Sequence, residues 1–456
     1  MSATPTSALT RLEGLLGTEH LLTNPTQLAG YEVDGLRPAA VAQPGSAGEV
    51  AEVVRFAAAE KLAVIPVGGR TKLRIGAPPR RYDLAADLTR LDGVLAYDPG
   101  DLTLGVQAGI RFAELSRVLA EKRQFLPLAP AFAEQATIGG ILATNSGSPL
   151  RHAYGSARDY VLGMEFVTGE GIETKSGGRV VKNVTGYDLH KLMIGALGTL
   201  GVITRVNFKT FPLPRAQTTF VGSFDSAAQA LGMCRAIAQS ALQPRLVDVV
   251  DPAAAQMIDP ARARLPAGQW SVVVGAAGDE RVVQRHGIDL ARIAEGARAT
   301  AFVALTDEEE ATLLGRIREF PKLAAETSPA ATLFKISVVL AQMLALLERA
   351  RQVIQRNQLA SMTLLRASGI VYLALVPTAL DAATLARLTQ AATELIHASS
   401  SSEIGGRPVI EWCPTELKNQ VNVWGPARDD LMLMQRLKKA FDPQGVLSPG
   451  RFVGGI

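Results

Sequence analysis

The sequence predicts an α+β protein, and three observations carry that prediction. A helix pattern at 47–60 is followed by the apolar run 62–66 and a Gly-Gly turn, as in a small α/β subdomain. Glycine clusters recur at 137–147 and 195–201 beside short apolar runs. Strand and amphipathic-helix patterns alternate between 270 and 397, which is typical of an antiparallel sheet with helices on one face.

The composition is that of an ordinary globular protein and argues against several classes of function. The 456 residues suffice for two or three domains with their own cores. The net charge is +4 and the chain has no dense basic block, which argues against a nucleic acid partner. No apolar run reaches the ~18 residues that a membrane-spanning helix needs. The N-terminus lacks a signal-peptide core, so we expect a cytoplasmic protein.

The cysteines and histidines form no metal-binding pattern. Cys234 and Cys413 are far apart and lack the spacing of a zinc site or an iron–sulfur cluster, while a disulfide between them stays open. The histidines lack the spacing of metal ligands and lie at His20, His152, His190, His286 and His397. We therefore expect no metal site within this chain.

The most informative motif is PVGGRTK at 66–72, which directly follows an apolar run. Gly68 and Gly69 can adopt positive φ and let a ligand approach the backbone closely. The amides of such a turn form a nest that suits a pyrophosphate, with the following Arg-Thr-Lys beside it. One Gly-Gly turn alone is more often an ordinary turn, but the two further glycine clusters favour a binding loop.

The second cluster opens a short helix and ends in polar residues. Thr137 begins the helix, whose first amides are unpaired and carry the positive end of the helix dipole. Thr144, Asn145 and Ser146 add side-chain donors and acceptors. A ligand rich in phosphate and ring carbonyls would satisfy both kinds of group, although a hairpin assembly without a ligand also explains the glycines.

The third cluster, GALGTLG at 195–201, has the spacing G-x-x-G-x-x-G. It is not the dinucleotide fingerprint G-x-G-x-x-G, which the chain lacks, and the Walker A pattern is also absent. A nicotinamide-binding Rossmann domain and a P-loop nucleotidase are therefore disfavoured.

In this order, the clusters resemble the FAD-binding domain of the vanillyl-alcohol oxidase and p-cresol methylhydroxylase superfamily. The matching motifs are PVGGRT at 66–71, ATIGGILATNSGS at 136–148, YG at 154–155, TGYDLHKLMIGALGTLGVIT at 185–204 and FDPQGVLSPGRF at 441–452. Within that superfamily, 181–201 and 421–456 resemble the FAD-binding subunits of glycolate oxidases (glycolate dehydrogenases).

The resemblance implies a domain organisation. A leader segment at 1–35 precedes a two-subdomain FAD-binding domain of the p-cresol methylhydroxylase type at 36–213. An α+β cap with an antiparallel sheet occupies 214–410, and 411–456 returns to the FAD-binding domain.

The resemblance also implies the residues that bind FAD. Non-covalent FAD is expected because no His or Cys falls in 60–80, where some relatives link the flavin; His152 is the alternative linkage point. The implied binding residues are Val67, Gly68, Gly69, Arg70 and Thr71 for the pyrophosphate; Thr137, Ile138, Gly139 and Gly140 for the phosphates and ribityl chain; Ala143, Thr144, Asn145, Ser146 and Gly147 for the flavin ring; Gly155 and Arg158 nearby; and Gly198, Gly201, Val202 and Ile203 for the adenine side.

The chain departs from the superfamily where a substrate metal would be held. Single-chain 2-hydroxy acid dehydrogenases of the superfamily carry H-x-G-D-G-N and a later Glu-His pair as metal ligands. The equivalent region here, 364–373, has no histidine. Lys335 is a candidate for binding a substrate carboxylate, but an exposed strand lysine is the favoured interpretation. The catalytic residues stay unassigned.

The resemblance implies an FAD-dependent oxidoreductase that acts on CH–OH groups as a subunit of a glycolate oxidase complex. Glycolate would be oxidised to glyoxylate, with electrons passing through FAD to an iron–sulfur subunit. A second, catalytic FAD subunit would hold the metal-dependent site, and attachment to the inner membrane would be made through partners. Two alternatives stay open: a self-sufficient FAD-dependent 2-hydroxy acid or alcohol dehydrogenase, and a catalytically silent FAD-binding structural subunit.

Overall fold

The structure is a computed structural model that describes residues 6–179, 186–427 and 429–456. Its first layer is a four-stranded sheet in the spatial order β1 (Leu21–Leu22), β2 (Ala40–Ala42), β4 (Leu84–Asp87) and β3 (Val64–Val67). The last three strands are parallel, and β1 is antiparallel to β2. The helices of this layer are α1 (Thr6–Leu16), α2 (Pro25–Leu28) and α3 (Ala47–Ala59), with 3₁₀ turns at Thr18–His20 and Ala29–Tyr31.

The α3 helix forms where the sequence predicts a helix at 47–60. The Ser46 hydroxyl accepts a hydrogen bond from the Glu49 amide at 3.1 Å, which caps the helix. The Glu49 carboxylate returns to the amide of Gly45 at 2.8 Å. The apolar positions, including Val50 and Val53, are fully buried against the parallel sheet, so burial of one face stabilises the helix.

The second layer is a five-stranded antiparallel sheet. Its spatial order is β5 (Val94–Asp98), β6 (Thr103–Gln107), β10 (Val202–Lys209), β8 (Val161–Val167) and β9 (Glu173–Gly177). A small pair, β7 (Gln124–Phe125) and β11 (Phe211–Pro212), lies beside it. The helices of this layer are α4 (Phe112–Glu121), α5 (Ile138–Ala143), α6 (Arg151–Tyr154), α7 (Ala157–Tyr160) and α8 (His190–Met193).

The cap is built on an eight-stranded antiparallel sheet. Its spatial order is β15 (Ala301–Leu305), β12 (Ala216–Phe224), β14 (Trp270–Gly278), β13 (Leu246–Val250), β17 (Ser361–Arg366), β18 (Ile370–Leu375), β16 (Thr332–Ser337) and β19 (Arg407–Trp412). Together the layers confirm the predicted α+β fold class, with mixed helices and antiparallel sheets.

Helices cover both faces of the cap sheet, so the expectation of helices on one face is wrong. The larger face packs against α9 (Ala227–Ala238), α11 (Glu280–Gly296), α14 (Met343–Arg356) and α15 (Ala382–Ser400). The other face packs against α10 (Pro252–Ile258), α12 (Asp307–Arg318) and α13 (Phe320–Glu326). The reason is that strand residues on this face, such as Leu364 and Tyr372, are apolar or aromatic and must also be buried.

The polar run 399–402 is not the linker that its composition suggests. Ser399 and Ser400 end α15, and Ser399 is fully buried. A 3₁₀ turn at Leu340–Gln342 precedes α14.

The C-terminal segment contains α16 (Thr415–Lys418), α17 (Leu431–Phe441) and a 3₁₀ turn at Val453–Gly455, and it returns to the first layer. The amide of Val64 donates to the carbonyl of Val446 at 2.8 Å, and Val64 forms a parallel bridge with Leu447. Phe441, at the end of α17, contacts the ring of Phe166 in β8 at 6.1 Å between centroids. Among the described residues, no helix combines the length and apolar character needed to cross a bilayer.

Candidate functional site

The three glycine clusters meet in one place. A Cβ atom on Gly68 would lie 2.1 Å from Thr137 Oγ1, and one on Gly69 would lie 1.8 Å from the carbonyl oxygen of Gln135. Gly198 has φ of +69° and packs on Pro66. The first part of the narrower sequence motif, 181–185, lies outside the described residues.

In the first loop, positive φ occurs beside the two glycines rather than at them. In the first loop Arg70 has φ of 58°, whereas Gly68 and Gly69 do not lie in the left-handed region. Close approach to the second loop therefore explains these two glycines, and not positive φ as the sequence analysis suggests. Asn145 and Leu197 also have positive φ, so residues that border the site carry local backbone strain.

The three loops surround a cleft of about 760 Å³. The predicted residues that line it are Val67, Gly68, Gly69, Arg70, Thr71, Thr137, Gly139, Gly140, Ala143, Thr144, Gly198, Gly201 and Ile203. Lys72, which the sequence analysis placed beside the pyrophosphate, also lines the cleft. Leu197 and Arg451 line it too, and the sequence analysis did not assign them to FAD.

The first loop offers the groups that a pyrophosphate requires. The amides of residues 68–72 have no hydrogen-bond acceptor within the described parts of the chain, and all five residues line the cleft. Unpaired amides at a concave surface are the donors of an anion-binding nest. The Arg451 guanidinium fixes the other end of the loop, because its Nη2 donates to the carbonyls of Leu73 and Ile75. The cleft therefore fits the phosphates of FAD.

A second, wider cavity of about 2280 Å³ adjoins the cleft. The two share Ile75, Thr144 and Leu197 as lining residues, and Asn145 and Arg158 line the wider one. Arg158 also has a supporting role, since its Nη2 donates to the carbonyl of Ile194 at 2.6 Å.

Five predicted residues line neither space, and their binding roles stay predictions. Ile138 is fully buried in the core, and Val202 is a buried residue of β10 that pairs with Val167. Gly147 lies under Tyr372, whose hydroxyl would be 2.5 Å from an added Cβ. The Ser146 hydroxyl lies 3.1 Å from that of Thr144, and Gly155 is a positive-φ residue that packs against Asp159.

A buried ionic cluster, which we define as Lys335, Glu411 and Lys72, lies where the two spaces meet: Lys335 and Glu411 line the wider cavity, and Lys72 lines the cleft. Lys335 Nζ lies 3.1 Å from Glu411 Oε1, and Lys72 Nζ lies 3.6 Å from Glu411 Oε2. Lys335 Nζ also donates to the carbonyl of Asn145 at 3.4 Å. Its side chain is 16% exposed, so the preferred interpretation of an exposed strand lysine is wrong.

Electrostatics hold Glu411 ionised. Burial raises the pKa of Glu411, but Lys335 and Lys72 outweigh it and lower the pKa to about 2. Burial lowers the pKa of Lys335, and the nearby Glu411 carboxylate raises it. The net result is a raised pKa. The sequence analysis missed Glu411 because an acidic residue in a short strand has no local signature. Lys335 and Leu333 are two residues apart in a strand, so their side chains lie on the same face of the sheet. The apolar Leu333 was therefore the signal in the sequence that Lys335 is buried.

Neither cysteine lines the cleft or the wider cavity. Cys234 and Cys413 are both free and buried. Within the described residues, no group of three or more His, Cys, Asp or Glu side chains could hold a metal ion. No described His lines the two spaces either, and the non-covalent attachment of FAD stays a prediction.

Two family models match the chain, together over well more than half of its length. An FAD binding domain matches 38–176, and the C-terminal domain of FAD linked oxidases matches 213–400 and 422–452.

Curated relatives include glycolate oxidase subunit GlcD of Bacillus subtilis, 26% identical over 91% of this chain and 88% of that protein. D-2-hydroxyglutarate dehydrogenase of Xanthomonas citri pv. viticola is 38% identical over 47% of this chain and 48% of that protein. Glycolate oxidase subunit GlcE of Escherichia coli is 37% identical over 36% of this chain and 47% of that protein. The last two matches span about half the length of the relatives.

Solved structures share the fold at low sequence identity. p-Cresol methylhydroxylase with substrate bound gives a TM-score of 0.77 at 17% identity, over 98% of this chain and 96% of that one. Alkyldihydroxyacetonephosphate synthase gives 0.76 at 18% identity, over 98% and 86%. These structures show that the chain has the fold of the predicted superfamily. The family models and the curated relatives confirm the predicted FAD cofactor and enzyme class: this chain belongs to the FAD-linked oxidases and is an FAD-dependent oxidoreductase.

Proposed function

We propose that this chain is the FAD-binding subunit of a glycolate oxidase (glycolate dehydrogenase) complex, in which glycolate is oxidised to glyoxylate. The observation that carries the proposal is the cationic wall beside the FAD cleft, where Lys335 faces a cavity open to a small anion. Similarity to glycolate oxidase subunit GlcD over 91% of the chain supports the substrate class.

When bound, FAD supplies the acceptor for the hydride that leaves the carbon bearing the hydroxyl group. The chain's own residues hold and orient the reactants. The amides of the first loop hold the pyrophosphate, and the glycine contacts between the loops fix the width of the cleft. Arg451 keeps the loop in place through the carbonyls of Leu73 and Ile75.

The proton of the substrate hydroxyl needs a base, and Glu411 is poorly suited to be that base. Glu411 has a pKa of about 2, so it is a weak proton acceptor at neutral pH. This mismatch favours an active site completed by partners over a self-sufficient dehydrogenase. The proposed partners are a catalytic FAD subunit with a metal-dependent hydroxy acid site and an iron–sulfur subunit that carries electrons onward.

Affinity purification of the tagged chain from its native cells, followed by glycolate turnover with an artificial electron acceptor, tests the proposal. Copurification of a second flavoprotein and an iron–sulfur protein, with turnover only in the complex, is the expected result. Full turnover by the chain alone would favour the self-sufficient dehydrogenase.

The silent-subunit alternative needs a flavin-free variant in the reconstituted complex. If FAD in this chain takes part in turnover, a complex containing Gly69→Val loses glycolate oxidation. A complex that keeps full activity with this variant would favour a structural role.

A further inference from the structure

Buried charges from both domains meet at the junction of the FAD cleft and the wider cavity. Lys72 comes from the FAD loop, Lys335 from β16 and Glu411 from β19. Arg366 in β17 and Asp248 in β13 are paired across the sheet behind them. Of these five residues, three are cationic and two are anionic, so the group carries one excess positive charge.

The described residues do not use all the donors of this group. A lysine ammonium has three N–H donors, and the described residues supply Lys335 with two acceptors, Glu411 and the carbonyl of Asn145. Arg366 is 1% exposed, stacks over the ring of Tyr372, and has no described partner for its Nε and Nη1 atoms. An excess buried cation with spare donors is costly unless an anion completes it.

Lys335 is the member of the cluster that a substrate can reach. It lines the wider cavity together with Glu411, Thr144 and Asn145, whereas Lys72 lines the FAD cleft. A small anion bound to Lys335 would therefore lie next to Asn145. Asn145 belongs to the last part of the second glycine cluster, at the border between the cleft and the wider cavity.

We propose that Lys335 forms the carboxylate subsite for a small 2-hydroxy monocarboxylate, and that Glu411 is the positioning residue that holds Lys335 in place. The inference rests on the proposed function, since it gives the same cavity a substrate-binding residue. The ammonium of Lys335 supplies a charge-assisted donor for the carboxylate of such an acid.

Glu411 acts through Lys335 and not on the substrate. Its Oε1 accepts from Lys335 and its Oε2 faces Lys72, so both oxygens are engaged by ammonium groups. Asn145 fixes the opposite side of Lys335 through its carbonyl. These contacts pre-organise the ammonium, and a pre-organised donor loses less entropy when the anion binds.

The test uses oxamate, a monocarboxylate that cannot donate a hydride from carbon. FAD-loaded wild-type protein is titrated with oxamate, and the change in the flavin absorption band gives the Kd. For Lys335→Met we expect about a ten- to hundredfold weaker Kd, because one charge-assisted contact is lost. Arg356→Met, which removes a cation from a surface pair with Glu394 on the far helices, should bind oxamate as the wild type does.

Two further variants keep the test decisive. Lys335→Gln removes the charge but retains a side chain able to reach Glu411 and the carbonyl of Asn145, so it serves if the methionine variant does not retain FAD. Glu411→Gln should weaken oxamate binding less than loss of Lys335. It should also make oxamate binding weaken as the pH rises, because removal of the Glu411 carboxylate takes away the interaction that raises the pKa of Lys335 and leaves burial, which lowers it. A slope near pH 6 that the wild type and Glu411→Gln share is assigned to Asp248, whose pKa is about 6.

The outcomes separate the subsite from the proposed function. Wild-type affinity for oxamate in both Lys335 variants, or no oxamate binding by the wild type, overturns the subsite. Lys335-dependent oxamate binding in a protein whose complex does not oxidise glycolate supports the subsite and overturns the proposed function.

Discussion

In the FAD-binding domain the binding groups are backbone amides of glycine-rich loops, whereas in the cap they are charged side chains of neighbouring strands. The first kind of site depends on close contact, as where Gly69 approaches the carbonyl of Gln135. The second depends on charge balance, as where Glu411 lies between Lys335 and Lys72. A backbone site tolerates little change in shape, and a side-chain site tolerates little change in charge.

The largest expected effect is the loss of FAD in Gly69→Val. The added side chain would collide with the backbone of Gln135, from which a Cβ is only 1.8 Å away, so the first loop must move. We expect no detectable flavin after purification. The measurement is the ratio of the flavin absorbance at about 450 nm to the protein absorbance at about 280 nm.

Gly315→Val is the matched control, because a Cβ at Gly315 in α12 meets no atom within 4 Å. This variant should hold FAD as the wild type does. Full flavin content in Gly69→Val would show that the cofactor lies elsewhere.

The second prediction is that the backbone site holds FAD without a covalent link. Acid precipitation of the purified protein should release all the yellow colour into the supernatant, since no described His or Cys lines the cleft. Colour that stays in the pellet would contradict this, and peptide mapping around His152 would then locate the link.

The third prediction sharpens the role of the charged site. The isolated FAD-loaded chain should be reduced by glycolate orders of magnitude more slowly than the complex, because Glu411 is a weak base and no described metal-ligand group polarises the hydroxyl. Anaerobic stopped-flow mixing, with flavin bleaching as the signal, measures the rate. Fast bleaching that survives a metal chelator would contradict the prediction.

The smallest effect concerns the charge balance behind the ionic cluster. Burial raises the pKa of Asp248 to about 6, although Arg366 lowers it, and both of its oxygens lack a hydrogen bond to any described residue. The unfolded pKa is about 3.9. Between about pH 4 and 6 the folded state therefore holds a proton that the unfolded state releases, so stability falls as pH rises through this window.

Asp248→Asn should remove about 1 to 3 kcal/mol of this pH dependence. Urea unfolding measures the free energy of unfolding at a series of pH values from about 4 to 7, which cover the range in which Asp248 titrates. Asp251 titrates in the same range, so part of the slope should persist. The exposed Asp101→Asn serves as the control, and an unchanged slope in Asp248→Asn would contradict the prediction.

The two regions also differ in how far the sequence reveals them. The FAD loops were predictable because glycine spacing, a capping threonine and a preceding strand are local features. Thus the helix predicted at 47–60 is found at Ala47–Ala59, and the predicted residues Gly68, Gly140 and Gly198 line the cleft. Lys335 and Glu411 could not be paired, because β16 and β19 become neighbours only through the order of strands in the cap sheet.

One expectation for the first domain is wrong for a physical reason. The positive φ expected of Gly68 and Gly69 is found at Arg70 instead, because a crowded loop uses small residues for clearance. Ile138 and Val202 were assigned to FAD because they lie inside matching motifs; their side chains fill the core, and their binding roles stay predictions. A motif identifies a segment, and only packing shows which of its side chains point away from the cavity.

The bonds of Arg451 to the carbonyls of Leu73 and Ile75 have a consequence for folding kinetics. The partners are separated by 376 residues between Ile75 and Arg451, and contacts of such long sequence separation form slowly. A nascent chain that has made the first glycine loop must wait until the whole cap and the returning segment are synthesised before the rim of the cleft can close. Uptake of FAD is therefore a late event in biogenesis, and a ribosome-bound intermediate would expose an unfinished cleft for most of its synthesis.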